Sequence, residues 1–234
     1  MTEALQPDHA MNAFAADPGF AVWPEALSER DVSLLLSALD ESPNRSRAGV
    51  RHLMSNLRIA ELATDPRLLA LVHPVLGTNA RPYRATLFDK SVASNWLVVW
   101  HQDTALPLHA QRDLPGWGPW SRKWGVIYAH APARVLERIL ALRVHLDDST
   151  PLNGPLRVLP GTNHMGVLTD AAIQKLIREL PAVECTVARG GIVSMRPLLV
   201  HASSKATTPA PRRVLHIEYA ESLDIGSGLR LAIV

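Results

Sequence analysis

From about residue 82 onward the sequence becomes a series of short β-type runs separated by Pro, Gly, Asn and Asp. The runs are Arg84–Phe88, Trp96–Trp100, Leu140–Leu146, Leu156–Leu159, Gly191–Met195 and Val214–Tyr219. Many short strands with turn residues between them argue against repeated βαβ units and for a sandwich or closed barrel. Upstream, the texture is helical. Ser28 can cap a helix whose apolar positions Val32, Leu35, Leu36 and Leu39 follow the i, i+3, i+4, i+7 pattern, with Asp31 closing a capping box. A second helix is predicted from Asp65-Pro66 through Leu68, Leu69, Leu71 and Val72, ended or bent by Pro74 and Gly77. The chain therefore reads as mainly β with flanking helices: a helical layer over about 1–80 and a β core over about 82–220.

At 234 residues it suits one domain, 1–234. The net charge of +2 comes without any Lys/Arg run, which excludes a nucleic-acid or membrane-surface partner. A single cysteine, Cys185, excludes an internal disulfide framework, fits a reducing compartment and has no partner motif. The segment Met1–Asp17 has Glu3, Asp8 and Asp17 and no apolar stretch of the kind a secretory signal needs. No run reaches the roughly 18 apolar residues of a membrane span. A cytoplasmic protein is expected, its oligomeric state left open.

Two residues apart at the end of the run Trp96-Leu-Val-Val-Trp-His-Gln-Asp103 stand His101 and Asp103. Side chains on a strand alternate with period two, so both project from one face. His201, which follows Ile192–Met195 and Pro197-Leu-Leu-Val200, is the best third member. Two imidazoles and one carboxylate on one face of an octahedron form the facial triad of non-haem iron(II) oxygenases, with three positions left open. A hydrogen bond between His101 and Asp103 at a strand end accounts for the pair equally well on spacing alone. Arg212 begins the run Arg212-Arg-Val-Leu-His-Ile-Glu-Tyr219, and alternation puts only one of Arg212 and Arg213 inside a barrel. A guanidinium there can hold the distal carboxylate of 2-oxoglutarate in a two-pronged geometry, and Ser203 offers a hydroxyl on the same side as His201.

Trp100-His-Gln-Asp103, Asn153-Gly-Pro-Leu-Arg-Val-Leu-Pro-Gly-Thr162, His201-Ala-Ser203 and Arg212 together resemble the phytanoyl-CoA dioxygenase-like family of Fe(II)/2-oxoglutarate oxygenases, over roughly Arg84 to Tyr219. The resemblance implies a double-stranded β-helix (jelly-roll, cupin-like) core. It implies His101, Asp103 and His201 as iron ligands, and Arg212 with Ser203 at the C5 carboxylate of the cosubstrate. It implies O2 as co-reactant and hydroxylation or desaturation of a small organic substrate, with release of succinate and CO2. Related halogenases carry a small residue where Asp103 stands. The chain departs from the family's pattern at two places. Asn163 occupies a position where His is usual. Arg143, ten positions before the Asn-Gly turn, replaces an aromatic residue and adds a second candidate for a carboxylate of cosubstrate or substrate. Lys90, on the strand before the His101 segment, is another.

A connection as long as Thr104–Trp124, with Pro107, Pro115, Gly116, Gly118 and Pro119, reads as a lid. Its Trp117, Trp120 and Trp124 are either permanent core packing or, in a closing lid, substrate walls; its His109, Arg112, Arg122 and Lys123 are either a solvated loop face or a match for a carboxylate-bearing substrate. His145 and His216 alternate in phase with Arg143 and Arg212 and are candidates to line the pocket. Two other readings stay open: a non-catalytic metal- or ligand-binding jelly-roll, and a cupin-type metalloenzyme that does not use 2-oxoglutarate. Dependence on the cosubstrate separates them.

Overall fold

In a computed structural model of the chain, residues 17–40, 49–91 and 94–234 are described. The reading of Met1–Asp17 as lacking a secretory signal falls, apart from Asp17, outside them. The N-terminal part contains β1 (Phe20–Trp23), α1 (Glu29–Asp40), β2 (Gly49–Val50), α2 (Leu57–Ala63) and α3 (Pro66–Leu76). Next come β3 (Arg81–Lys90), β4 (Val98–His101), β5 (Ala105–Leu108), β6 (Trp120–Lys123), β7 (Val126–His130) and the short α4 (Ala133–Leu136). Then follow β8 (Ile139–His145), β9 (Leu156–Val158), α5 (Asp170–Glu179), β10 (Val183–Cys185), β11 (Ile192–Met195) and β12 (His201–Ser203). The chain closes with β13 (Arg212–Ala220), β14 (Asp224–Gly226) and β15 (Leu229–Arg230).

The strands assemble into a major sheet in the order β1-β11-β8-β13-β3-β2 and a minor sheet in the order β10-β9-β12-β4. All pairings are antiparallel. The two sheets pack through Ala141, Val193 and Met195 of one and Leu156, Val158 and Cys185 of the other, which makes the jelly-roll core. No helix among the described residues is long and apolar enough to cross a membrane.

Alternation along β13 decides what each face of the major sheet carries. Leu215 lies opposite Leu87 and Val144, and Ile217 opposite Ala85 and Leu142. These residues join Val32, Leu35 and Leu39 of α1, Ile59 of α2 and Leu68 and Val72 of α3 in one buried apolar cluster. The intervening residues point into the barrel: Arg212 opposite Lys90, Val214 opposite Phe88 and His145, His216 opposite Thr86 and Arg143, and Glu218 opposite Arg84.

The helix signals act as their chemistry dictates. The Ser28 hydroxyl accepts from the Asp31 N–H at 3.2 Å, while Asp31 accepts from the Ser28 N–H at 3.0 Å, a reciprocal capping box. Asp65 caps α3 by accepting from the Arg67 N–H at 2.8 Å, with Pro66 first in the helix. Pro74 does not end α3: burial of Val72 and Leu76 holds the last turn, and Gly77 at φ +84° closes it.

Three expectations are corrected. The N-terminal layer is not purely helical, because β1 and β2 form the two edges of the major sheet. An amphipathic helix, α5, interrupts the β half; Thr169 caps it and Ile173 anchors it. Finally, Thr104–Trp124 is not one long loop. Its two ends are β5 and β6, both paired with β7, because Leu106 and Leu108 bury their side chains in an apolar cluster that also holds Ala129 and Leu136.

Candidate metal centre and its cavities

β4 and β12 run antiparallel in a register that sets His101 directly opposite His201, with ring centroids 4.3 Å apart. Asp103 follows two residues on, its N–H bound to the Pro197 carbonyl at 2.9 Å. Its carboxylate oxygens lie 3.5 Å from the Nε2 atoms of His101 and His201. One donor atom from each of the three lies within 4.8 Å of the other two. Metal–ligand distances of about 2.0–2.2 Å put neighbouring ligands roughly 3 Å apart, so a small inward adjustment closes this set on one ion.

Each imidazole is also oriented. Nδ1 of His101 donates to the Val99 carbonyl and Nδ1 of His201 to the Leu199 carbonyl, both at 2.8 Å. A carbonyl can only accept, so Nδ1 carries the proton and the Nε2 lone pair faces the gap. Burial pushes the His201 imidazole down to about 4. At Asp103 burial favours the neutral acid, but His201 and His101 outweigh it and hold the carboxyl well below the usual carboxylate range. His101 is pulled down by burial and raised further by Asp103. The donor chemistry fits a divalent transition metal.

Gln102, between the two, points the other way. Its amide donates to the Leu198 carbonyl at 2.7 Å and the Gly166 carbonyl at 2.9 Å and accepts from the Leu168 N–H at 2.8 Å. It ties the His101–Asp103 segment to the loops before β12 and α5. Sequence reasoning passed over it, although period two already placed it on the opposite side of its neighbours.

Two cavities meet at the triad. The inner one, about 90 Å³, is lined by the triad with Phe88, Arg143, Ser203 and Arg212 among others. Arg212 donates from Nη2 to the Ser203 hydroxyl at 3.1 Å and from Nε to the Asn153 carbonyl at 3.3 Å, and its buried Nη1 has no partner. Lys90 donates to the same hydroxyl at 2.9 Å and to the Ser204 carbonyl, and Ser203 in turn donates to the Gly154 carbonyl at 2.8 Å. Asn153 folds its side chain back onto Thr150 and Asp148, which turns the two carbonyls inward. Gly154 at φ +70° is required here: a Cβ would sit 2.2 Å from the Ser204 carbonyl oxygen.

Arg143 reaches the same space from β8. Its Nη1 lies 3.2 Å from Nδ1 of His216, its guanidinium 5.4 Å from the Phe88 ring centroid, and its buried Nε is unpartnered. Three buried cations thus share a region whose one lining carboxylate is Asp103. Burial and the charge of Arg143 push Arg212 down to about 9; burial and both arginines push Lys90 down to about 8. Such crowding is costly unless an anion arrives to relieve it.

The outer cavity, about 320 Å³, opens on the other side of His101 and Asp103. Arg51, Arg84, Thr86, Lys123, Tyr128, His130, His216 and Glu218 line it. His145 lines neither cavity; it is fully buried beyond Arg143 with both ring nitrogens unpartnered. Trp117 and Trp120 also lie outside both linings, stacked on each other at 6.3 Å against the apolar cluster of Leu106 and Leu108. Trp124, at the β6–β7 turn, is edge-on at 5.8 Å to His52, whose Nε2 lies 2.8 Å from the hydroxyl of the lining residue Tyr128. Asn163 sits elsewhere, with Asp17, His164 and Arg196 on a separate cavity.

Comparison with known proteins places this arrangement. The chain is 26% identical over 186 residues to the L-proline trans-4-hydroxylase of Streptomyces griseoviridis; the match covers 68% of this chain and 62% of that enzyme's length. Among solved structures it resembles apo EctD from S. alaskensis, with TM-score 0.65, 23% identity and coverage of 94% of this chain and 79% of that one. It resembles HygX from Streptomyces hygroscopicus with nickel and 2-oxoglutarate bound, with TM-score 0.61, 20% identity and coverage of 93% and 87%. It also resembles the epimerase SnoN in complex with Fe3+, alpha ketoglutarate and nogalamycin RO, with TM-score 0.68, 18% identity and coverage of 93% and 86%. At these identities the structural likenesses establish the fold. The family model for phytanoyl-CoA dioxygenase (PhyH) matches residues 15–214, a span that takes in the minor sheet, the major sheet up to the start of β13, and His101, Asp103, His201 and Arg212. On that coverage the chain belongs to the phytanoyl-CoA dioxygenase family.

Proposed function

We propose that this chain is a non-haem Fe(II)- and 2-oxoglutarate-dependent dioxygenase that hydroxylates a small organic substrate. The observation that carries the reading is the juxtaposition of an oriented His–Asp–His set with buried, unneutralised cations in one cavity. A metal-binding jelly-roll without a cosubstrate has no use for the second half of that arrangement.

His101, Asp103 and His201 hold the iron. Bound Fe(II), with 2-oxoglutarate and O2, supplies the oxidising power that converts the cosubstrate to succinate and CO2 and hydroxylates a substrate C–H bond. The chain's own residues position the reactants. The Val99 and Leu199 carbonyls fix the tautomers, so the imidazoles present lone pairs without searching for them. Arg212, Ser203 and Lys90 hold the C5 carboxylate: the hydroxyl already gathers both cations, and Arg212 keeps an N–H free to donate. Arg143 sits close enough to feel Asp103 and supplies a second positive charge for the cosubstrate's other end. Phe88 and Leu156 keep water from the space between.

Other support comes from a relative that is an L-proline hydroxylase and from a structural neighbour carrying 2-oxoglutarate. The single cysteine, Cys185, is free and buried, which suits a reducing, cytoplasmic setting. The test is succinate release from 2-oxoglutarate by the iron-loaded chain across a panel of small metabolites. Release that depends on Fe(II) and on one class of substrate is the expected result; turnover of a substrate without 2-oxoglutarate would replace this reading with a cupin-type enzyme.

A further inference from the structure

The outer cavity has a charge pattern of its own. Arg84 is neutralised by Glu218, whose carboxylate also accepts from the Tyr83 hydroxyl at 3.2 Å. His130 is engaged by Thr104 at 2.6 Å. Asp103 belongs to the triad. What remains are two lining cations, Arg51 and Lys123, neither with an ion pair to an acid among the described residues.

Their placement follows from register. β2 sets Gly49 opposite Phe88 and Val50 opposite Leu87, so Val50 enters the helix-facing core and the next residue, Arg51, falls on the Thr86 side, toward the barrel interior. Lys123 ends β6 with its ammonium 5.7 Å from the centroid of Tyr128, whose hydroxyl is 2.8 Å from Nε2 of His52. Both charges thus border the cavity, one from the N-terminal segment and one from the β6–β7 hairpin.

Resting on the oxygenase reading above, we propose that Arg51 and Lys123 form the substrate's anion subsite and that the substrate is a small organic acid. Its carboxylate binds between them while a C–H bond is held at the His101–Asp103 side. A guanidinium and an ammonium, partly open to water, match a single carboxylate. At about 320 Å³ the cavity is at the small end of ligand sites, which limits the enclosed part of the substrate to a small molecule.

The experiment is calorimetric titration of the anaerobic Fe(II)-loaded chain, with 2-oxoglutarate present, by matched probes: L-proline, cyclohexanecarboxylate and phenylacetate, each beside its primary amide. At least one acid should bind about tenfold or more tightly than its amide, the loss expected for a charge-assisted contact. The Arg51→Ala/Lys123→Ala double variant should erase that preference while leaving the 2-oxoglutarate Kd unchanged. Both sites are exposed, and a thermal melt checks that the variant is folded. The proposal is overturned if no acid binds, if acid and amide bind alike, or if the double variant keeps the preference. Repeating the probe titrations without iron and 2-oxoglutarate separates the two readings. A preference that depends on Arg51 and Lys123 in a chain that never binds 2-oxoglutarate would sink the oxygenase reading and leave the anion subsite standing.

Discussion

Arg212 and Arg213 are neighbours on β13 and belong to different surfaces of the major sheet. Arg213, on the helix side, makes two hydrogen bonds of 2.8 Å to Asp147 and gives Asp147 its N–H as well. Arg212, on the barrel side, is only 3% exposed and has a hydroxyl and a carbonyl for company, with no acid. The contrast extends along both faces. Beyond Arg213 the helix side is apolar and closed, whereas the barrel side gathers Lys90, Arg143 and Arg212 with atoms left unpartnered. Burying like charges together costs several kcal/mol of desolvation and repulsion. The helix-facing positions carry the fold, and on the function proposed above the barrel-facing positions are completed by the cosubstrate's carboxylate.

The largest effect on stability should come from the helix side. Leu215→Ala removes a fully buried side chain opposite Leu87 and Val144 and should cost about 2–5 kcal/mol in denaturant unfolding, without changing 2-oxoglutarate affinity of the folded chain. If affinity fell with stability, the two faces would not be separable. The barrel side should behave in the opposite sense. Arg212→Met should weaken 2-oxoglutarate about tenfold or more, a loss of roughly 1.5–3 kcal/mol of charge-assisted binding, while the unliganded chain unfolds no earlier than wild type and retains iron. A destabilised variant would mean that Arg212 serves the fold.

A smaller effect, with a pH signature, belongs to Arg213. Burial favours the neutral form of Asp147, but its hydrogen bonds to Arg213 outweigh this and lower its pKa in the folded state. The pair's contribution is therefore present above the usual carboxylate range and is lost as pH falls through the depressed folded value. Asp147→Asn should lower stability at neutral pH by about 1–2 kcal/mol, and the gap to wild type should close in acid. A gap that does not change with pH would remove the ion pair from the account. Smallest is Tyr219→Phe, which deletes the hydroxyl donating to the Ala63 carbonyl at 3.0 Å and so ties α2 to the sheet. Thermal unfolding should register about 1 kcal/mol, and no change would show that water replaces the bond.

What the sequence made legible was whatever depends on local spacing. Period two put His101 with Asp103, separated Arg212 from Arg213 and aligned His216 with Arg212, and the caps at Ser28 and Asp65 marked real helix starts. The family resemblance supplied the jelly-roll. Hidden were features set by pairing across the chain. Lys90 meets Ser203 over 113 positions, and Arg51 faces the outer cavity only because β2 docks beside β3. The segment Thr104–Trp124 looked like a lid because its Pro and Gly residues were visible and its partner strand β7 was not. Trp117 and Trp120 then belonged to packing, since the cluster around Leu106 and Leu108 needs covering.

The central claim is that the barrel face binds Fe(II) through His101, Asp103 and His201 and 2-oxoglutarate through Arg212. Anaerobic equilibrium dialysis of Fe(II), followed by titration with 2-oxoglutarate, tests it in wild type, His201→Ala and Arg212→Met. The account predicts one iron and one 2-oxoglutarate per chain in wild type, loss of both in His201→Ala, and retained iron with weakened 2-oxoglutarate in Arg212→Met. Full iron occupancy in His201→Ala, or a 2-oxoglutarate affinity indifferent to Arg212→Met, would contradict it.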